Sequence, residues 1–152
     1  MKILNTAAAL TLLTAPAFAD DVTVGDLTIS QTVARPTAAT AMAGAGYLQI
    51  VNNGDAADRL IAVEADFPRV MLHETVMDGD VAKMEHLMGV SIAAGETVTF
   101  EPGGKHVMFM GLNGDPFELD ERIPATLVFE NAGRIALDFV VTDIEATGGD
   151  HD

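Results

Sequence analysis

The chain has 152 residues, with 8 Lys and Arg against 23 Asp and Glu, a formal net charge of −15 and no cysteine. Such acidity argues against nucleic acid or an anionic membrane surface as a partner, and the missing thiols exclude disulfides, thiol–disulfide chemistry and a blue-copper centre, which needs a cysteine thiolate. With 49% apolar residues and a length that suits one compact domain, the fold is expected to stand on a single hydrophobic core.

The first 19 residues have the form of a secretory leader: Lys2, an apolar run over 7–13, and the small-residue site Ala17-Phe18-Ala19. The run is shorter than the ~20 residues that span a bilayer. Cleavage after Ala19 is therefore expected to release a soluble exported protein with no membrane insertion. From there the sequence is a series of short β-branched runs: "VTVGDLTIS" (22–30), "GYLQIVN" (46–52), "RLIAVEA" (59–65), "RVMLHETVM" (69–77), "ETVTFEP" (96–102), "KHVMFMG" (105–111), "ATLVFE" (125–130) and "IALDFVV" (135–141). Each has strand length, no long window has helical periodicity, and turn residues stand between them: Asn52-Asn53-Gly54, Asp78-Gly79, Pro102-Gly103-Gly104 and Asn131-Ala132-Gly133. The pattern predicts an all-β sandwich or barrel over 20–145. Residues 36–45 read as a loop, and 146–152 as a disordered tail that carries His151.

The stretch 71–89 concentrates Met71, His73, Met77, Met84, His86 and Met88. Taken as a hairpin closed by Asp78-Gly79, it sets His73 opposite Met84, Met71 opposite His86, and Glu74 opposite Lys83 as an ion pair. A second imidazole and thioether, His106 and Met108, lie two apart and so share one side of a strand. Two readings are open at this level. Methionine fills irregular cores with no function at all; equally, thioethers are soft ligands that select Cu(I), and imidazole accompanies them, whereas zinc sites are completed by cysteine, histidine or carboxylate.

The order His73, ten residues, Met84, twenty-one residues, His106, one residue, Met108 resembles the H-x10-M-x21-H-x-M signature of the periplasmic PCu(A)C copper chaperones. The likeness extends over "AGYLQIVNNGDAADRL" (45–60), "LHETVMDGDVAKM" (72–84), "EPGGKHVMFMGL" (101–112) and "IPATLVFENAGRIALDFVV" (123–141). It implies a cupredoxin-like fold and Cu(I) held by His73, Met84, His106 and Met108. It also implies delivery in the periplasm to the CuA centre of cytochrome c oxidase, directly or through a thioredoxin-like copper assembly protein, by ligand exchange and without enzymatic activity. Sequestration of copper at the same site, without delivery, is the alternative. Met77 is expected to cover the site and Met88 and Met110 to pack or rim it. Met71 and His86 stand as either a half-buried pair or a second copper position, a feature the resemblance does not supply. Since ligand histidines must be neutral, affinity is expected to fall as pH drops through about 6.5.

Overall fold

Two Gly-Asp dipeptides, Gly25-Asp26 and Gly79-Asp80, close two of the hairpins of the molecule. The computed structural model describes residues 20–144; the expected leader, the tail and His151 lie outside them. Strand β1 (Val22–Val24) returns as β2 (Leu27–Ala34) through Gly25-Asp26, with Val24 facing Leu27. Strand β5 (Arg69–Asp78) returns as β6 (Val81–Leu87) through Gly79-Asp80, with Asp78 facing Val81. In each loop the glycine is the first central residue and has a positive φ, 57° at Gly25 and 64° at Gly79, whereas neither aspartate does. That is the residue order of a type II′ turn, whose twist matches that of the flanking strands.

The remaining strands are β3 (Ala43–Asn52), β4 (Asp58–Ala65), β7 (Val90–Ile92), β8 (Thr97–Thr99), β9 (Lys105–Met110), β10 (Arg122–Phe129) and β11 (Gly133–Val141). The molecule is all-β, as expected, and hydrogen bonds join the strands in one sheet of order β6-β5-β9-β3-β2-β11-β10-β4-β7, with β1 on β2 and β8 on β3. All pairings are antiparallel except the short β11–β2 contact, Val140 beside Val33 and Val141 beside Ala34. Among the described residues no helix is long and apolar enough to cross a membrane.

The run read as one strand over 22–30 is in fact two, broken at Gly25. The segment 36–45, read as loop, already contains the start of β3, because Gly44 and Gly46 let the strand pass under aromatic rings. A Cβ on Gly44 would stand 2.5 Å from the Phe117 ring, and one on Gly46 would stand 2.9 Å from Phe109. Phe109 lies at the centre of this packing, with ring centroids 5.3 Å from Phe67, 5.6 Å from Phe117 and 5.5 Å from Phe139, all tilted or edge-on as aromatic quadrupoles prefer. Ile29, Leu48, Ile50, Leu60, Ile92, Leu127 and Phe139 complete the fully buried core. Buried Asp58 ties the β10–β11 turn to β4: its carboxylate accepts the backbone N–H groups of Asn131 and Ala132, both at 2.9 Å.

This core fixes one side of the strands that carry the histidines. On β5 Leu72 is buried and Val70 packs against the core, and on β9 Val107 and Phe109 are fully buried. By the alternation of a strand, Met71, His73, Thr75 and Met77 must then face the other way, as must His106, Met108 and Met110.

Candidate metal centre

On that outer face the register of three adjacent strands decides which donors meet. Across β5–β9, His73 is opposite His106 and Met71 opposite Met108. Across β5–β6, His73 is opposite His86 and Thr75 opposite Met84. The sequence-based hairpin therefore needs correction. His73 does not face Met84, Met71 does not face His86, and Glu74 does not face Lys83. The turn is Gly79-Asp80 rather than Asp78-Gly79, which moves β6 by two residues. A shift of two preserves which face each side chain occupies, so Met84 and His86 remain on the side of His73 but become diagonal or direct neighbours in exchange. Glu74 finds its cation on the other side, Lys105 at 3.3 Å, and Lys83 pairs with Asp78 at 2.6 Å.

The outcome is a row of three imidazoles, His106, His73 and His86, with ring centroids 5.7 Å and 5.9 Å apart and near-perpendicular planes. Two rings bound to one ion stand on the order of 5–6 Å apart, given metal–nitrogen bonds of about 2 Å, so either neighbouring pair is spaced to share an ion. All three cannot, since among the described residues no three His, Asp or Glu side chains converge on one point. A metal held here must draw its further ligands from the thioethers.

Exposure grades along the row. His106 is buried, with 4% of its surface accessible, His73 is half-buried, and His86 is exposed. Met71, Met108 and Met110 are half-buried, while Met84 at 56%, Met77 at 64% and Met88 at 78% stand in solvent. Met77, expected to cover the site, lies on the same face as His73, opposite Ala82 near the hairpin tip.

Two buried nitrogens in the row lack any hydrogen-bond partner, His73 Nδ1 and His106 Nε2. Leaving buried polar atoms unpaired costs about 1–3 kcal/mol each, and such atoms call for an explanation. For His106 the local structure sets the tautomer. Its Nδ1 lies 3.3 Å from the Gly104 carbonyl oxygen, which can only accept, so Nδ1 carries the proton and Nε2 presents a lone pair. The same carbonyl accepts the Thr75 N–H at 3.0 Å, which links the orientation of the ring to the backbone of β5. A carbonyl behind a ligand histidine is the usual way its orientation and basicity are set. Burial, and then the like charges of His106 and His86, hold the His73 imidazole below the ordinary histidine value of 6.5. His73 is therefore biased toward its neutral form, and the Nε2 of His106 is turned away from the carbonyl that holds its Nδ1. Neutral imidazoles beside thioethers make a soft, uncharged donor set suited to a monovalent ion.

Known proteins resemble this chain in sequence and in fold. The sequence model of the LpqE-like lipoproteins matches residues 27–141. A Leifsonia xyli subsp. xyli protein described as a lipoprotein, Lxx21020, is 41% identical over 63 residues, which are 41% of this chain and 37% of that relative's length. Among solved structures, the apo PCuAC domain from PmoF1 superposes with a TM-score of 0.68 at 26% identity, covering 81% of this chain and 98% of the domain. The copper-bound PCuAC domain from PmoF2 gives 0.65 at 28% identity, covering 80% and 97%. Apo-DR1885 from Deinococcus radiodurans gives 0.60 at 23%, covering 93% and 96%, a likeness of fold.

Proposed function

The chain belongs to the LpqE-like family, whose model spans most of its length, and from that premise we propose that it is an exported Cu(I) carrier of the periplasm. The ion is held by His73, Met84, His106 and Met108. The observation that carries this reading is the pair of imidazoles His73 and His106, directly opposed on β5 and β9 with ring centroids 5.7 Å apart, each with a buried nitrogen that has no hydrogen-bond partner among the described residues. Met108 lies two residues from His106 on β9, and Met84 stands opposite Thr75 on the neighbouring strand, on the same face as His73 and one rung toward the hairpin tip. The likeness to a copper-bound PCuAC domain supports copper as the ion.

A carrier must release what it holds. Met84, 56% exposed on the edge strand β6, is the ligand that solvent or an acceptor reaches first, and thioethers carry no charge that would hold the ion against a thiolate. This favours release by ligand exchange, with no bond chemistry done on a substrate; the resemblance to the PCu(A)C chaperones implies the CuA centre of cytochrome c oxidase, or a thioredoxin-like protein that assembles it, as the acceptor. The exposure of Met84 favours delivery over sequestration.

The test is anaerobic titration with Cu(I) against a colorimetric chelator. The protein should take one tight equivalent. His106→Ala and Met84→Leu should each weaken it by at least the roughly tenfold to hundredfold that loss of a supporting group costs a metal site. Equal binding by all three proteins would sink the assignment. Mixing the loaded protein with a reduced, copper-free CuA domain then separates delivery from storage, since a storage protein keeps its copper.

A further inference from the structure

The donors on the outer face form more than one set. Along β9 stand His106 and Met108, along β5 His73 and Met71, and the registers place these as two rungs, imidazole opposite imidazole and thioether opposite thioether. On the far side of β5 the imidazole rung continues to His86. Met88 follows directly on the end of β6 at Leu87. A recess of about 150 Å³ opens there between β4 and the hairpin, and Met71, His86, Leu87 and Met88 line it together with Ile61 and Val63. The recess thus combines one imidazole and two thioethers with apolar walls.

We propose that His86, Met71 and Met88 form a second soft-metal seat, for Cu(I) or an equally soft monovalent ion, adjoining the first across His73. This rests on the Cu(I)-carrying function proposed above. Three neutral donors suit a Cu(I) ion, which the thioethers select over harder divalent metals. The two seats are separate, because the three imidazoles lie in a row and do not surround one point. The new seat is also the more accessible: His86 is exposed and Met88 is 78% accessible, whereas His106 is buried. An exposed seat with three donors must hold its ion more weakly than a half-buried one with four. That order makes it a point of entry or exit, with His73, 5.9 Å from His86 and 5.7 Å from His106, as the ring common to both sides.

The experiment is a Cu(I) titration carried past one equivalent on the wild type, His86→Ala and Met88→Leu, with the imidazole ¹H–¹⁵N resonances followed in parallel. A second equivalent should appear in the wild type, about 10- to 100-fold weaker than the first. The His86 resonances should move during that second step, and both variants should lose the step while keeping the first. A wild type that stops at one equivalent would overturn the proposal, as would a second equivalent that survives in both variants or His86 resonances that stay fixed between one and two equivalents. These outcomes are distinct from failure of the first site, which shows as a missing first equivalent or one that His106→Ala leaves intact. Because His86 and Met88 lie exposed at the sheet edge, their replacement leaves the core contacts in place, and the wild-type resonances test the seat with no substitution at all.

Discussion

His73 holds its position by contacts on both sides, and its protonation follows from them. With burial and two neighbouring imidazoles holding its pKa below 6.5, the folded protein binds fewer protons at this residue than the unfolded chain does in the window that begins near 6.5 and runs downward. Stability rises with pH wherever the unfolded state binds more protons. The copper-free protein should therefore be equally stable at all pH values above about 6.5 as far as His73 is concerned. It should lose stability as pH falls below that value, until the folded-state pKa has also been passed. His73→Gln should flatten this part of the curve in denaturation experiments at pH 7 and pH 5. The same depression bears on copper. Protons compete for this ring only below the ordinary histidine range, so Cu(I) affinity should hold level on moving from pH 8 to about pH 6.5 and decline below it. A decline that begins well above pH 7 would show that a group other than His73 sets the pH dependence of binding.

Most strands could be read from the sequence because a half-buried strand writes its burial in alternate residues, as in "RVMLHETVM". Two pieces could not: β7 is only Val90-Ser91-Ile92, and the start of β3 is Ala43-Gly44-Ala45, chosen for the space under Phe117 rather than for β-propensity. The donor types were equally legible, but their neighbours were not, since these depend on which two residues of Asp78-Gly79-Asp80 close the hairpin. The signal was Gly79 itself, which at the first central position sets a type II′ turn. The turn thus has a measurable role. Gly79 has φ of 64° with open space where a Cβ would lie, so Gly79→Ala meets no clash and carries only the conformational cost, about 1–2 kcal/mol. It should lower stability by that amount in chemical denaturation. It should also weaken Cu(I) binding, because β6 brings Met84 and His86 to His73 only in this register. Asp80→Ala, at a residue without positive φ, should change neither. If the two substitutions behaved alike, the turn would not be what sets the register.

At the scale of the whole molecule, one aromatic-centred core without disulfides holds a sheet whose edge carries the donors, and a formal charge of −15 surrounds them. The hairpin shares in that field: Asp78 and Glu74 are paired with Lys83 and Lys105, while Asp80 and Glu85 add two exposed acids beside Met84 and His86. A field of one sign over an exposed site acts on encounter rates more than on the affinity of an uncharged donor set. Its sign can be read from the form in which copper is presented. A Cu(I) complex of an anionic chelator is repelled, so loading should be slow at low salt. It should quicken several-fold as the screening length shrinks from about 30 Å at 0.01 M to about 8 Å at 0.15 M. Cu(I) presented as its cationic acetonitrile complex should show the reverse, fastest at low salt. Stopped-flow loading in both forms across that range tests the argument. Opposite salt dependences place the site inside the acidic field, and an acceptor with a basic rim would then be steered to the hairpin edge. Rates without salt dependence in either form would mean that the charges lie too far from the donors to be felt, leaving recognition of any acceptor to the exposed thioethers alone.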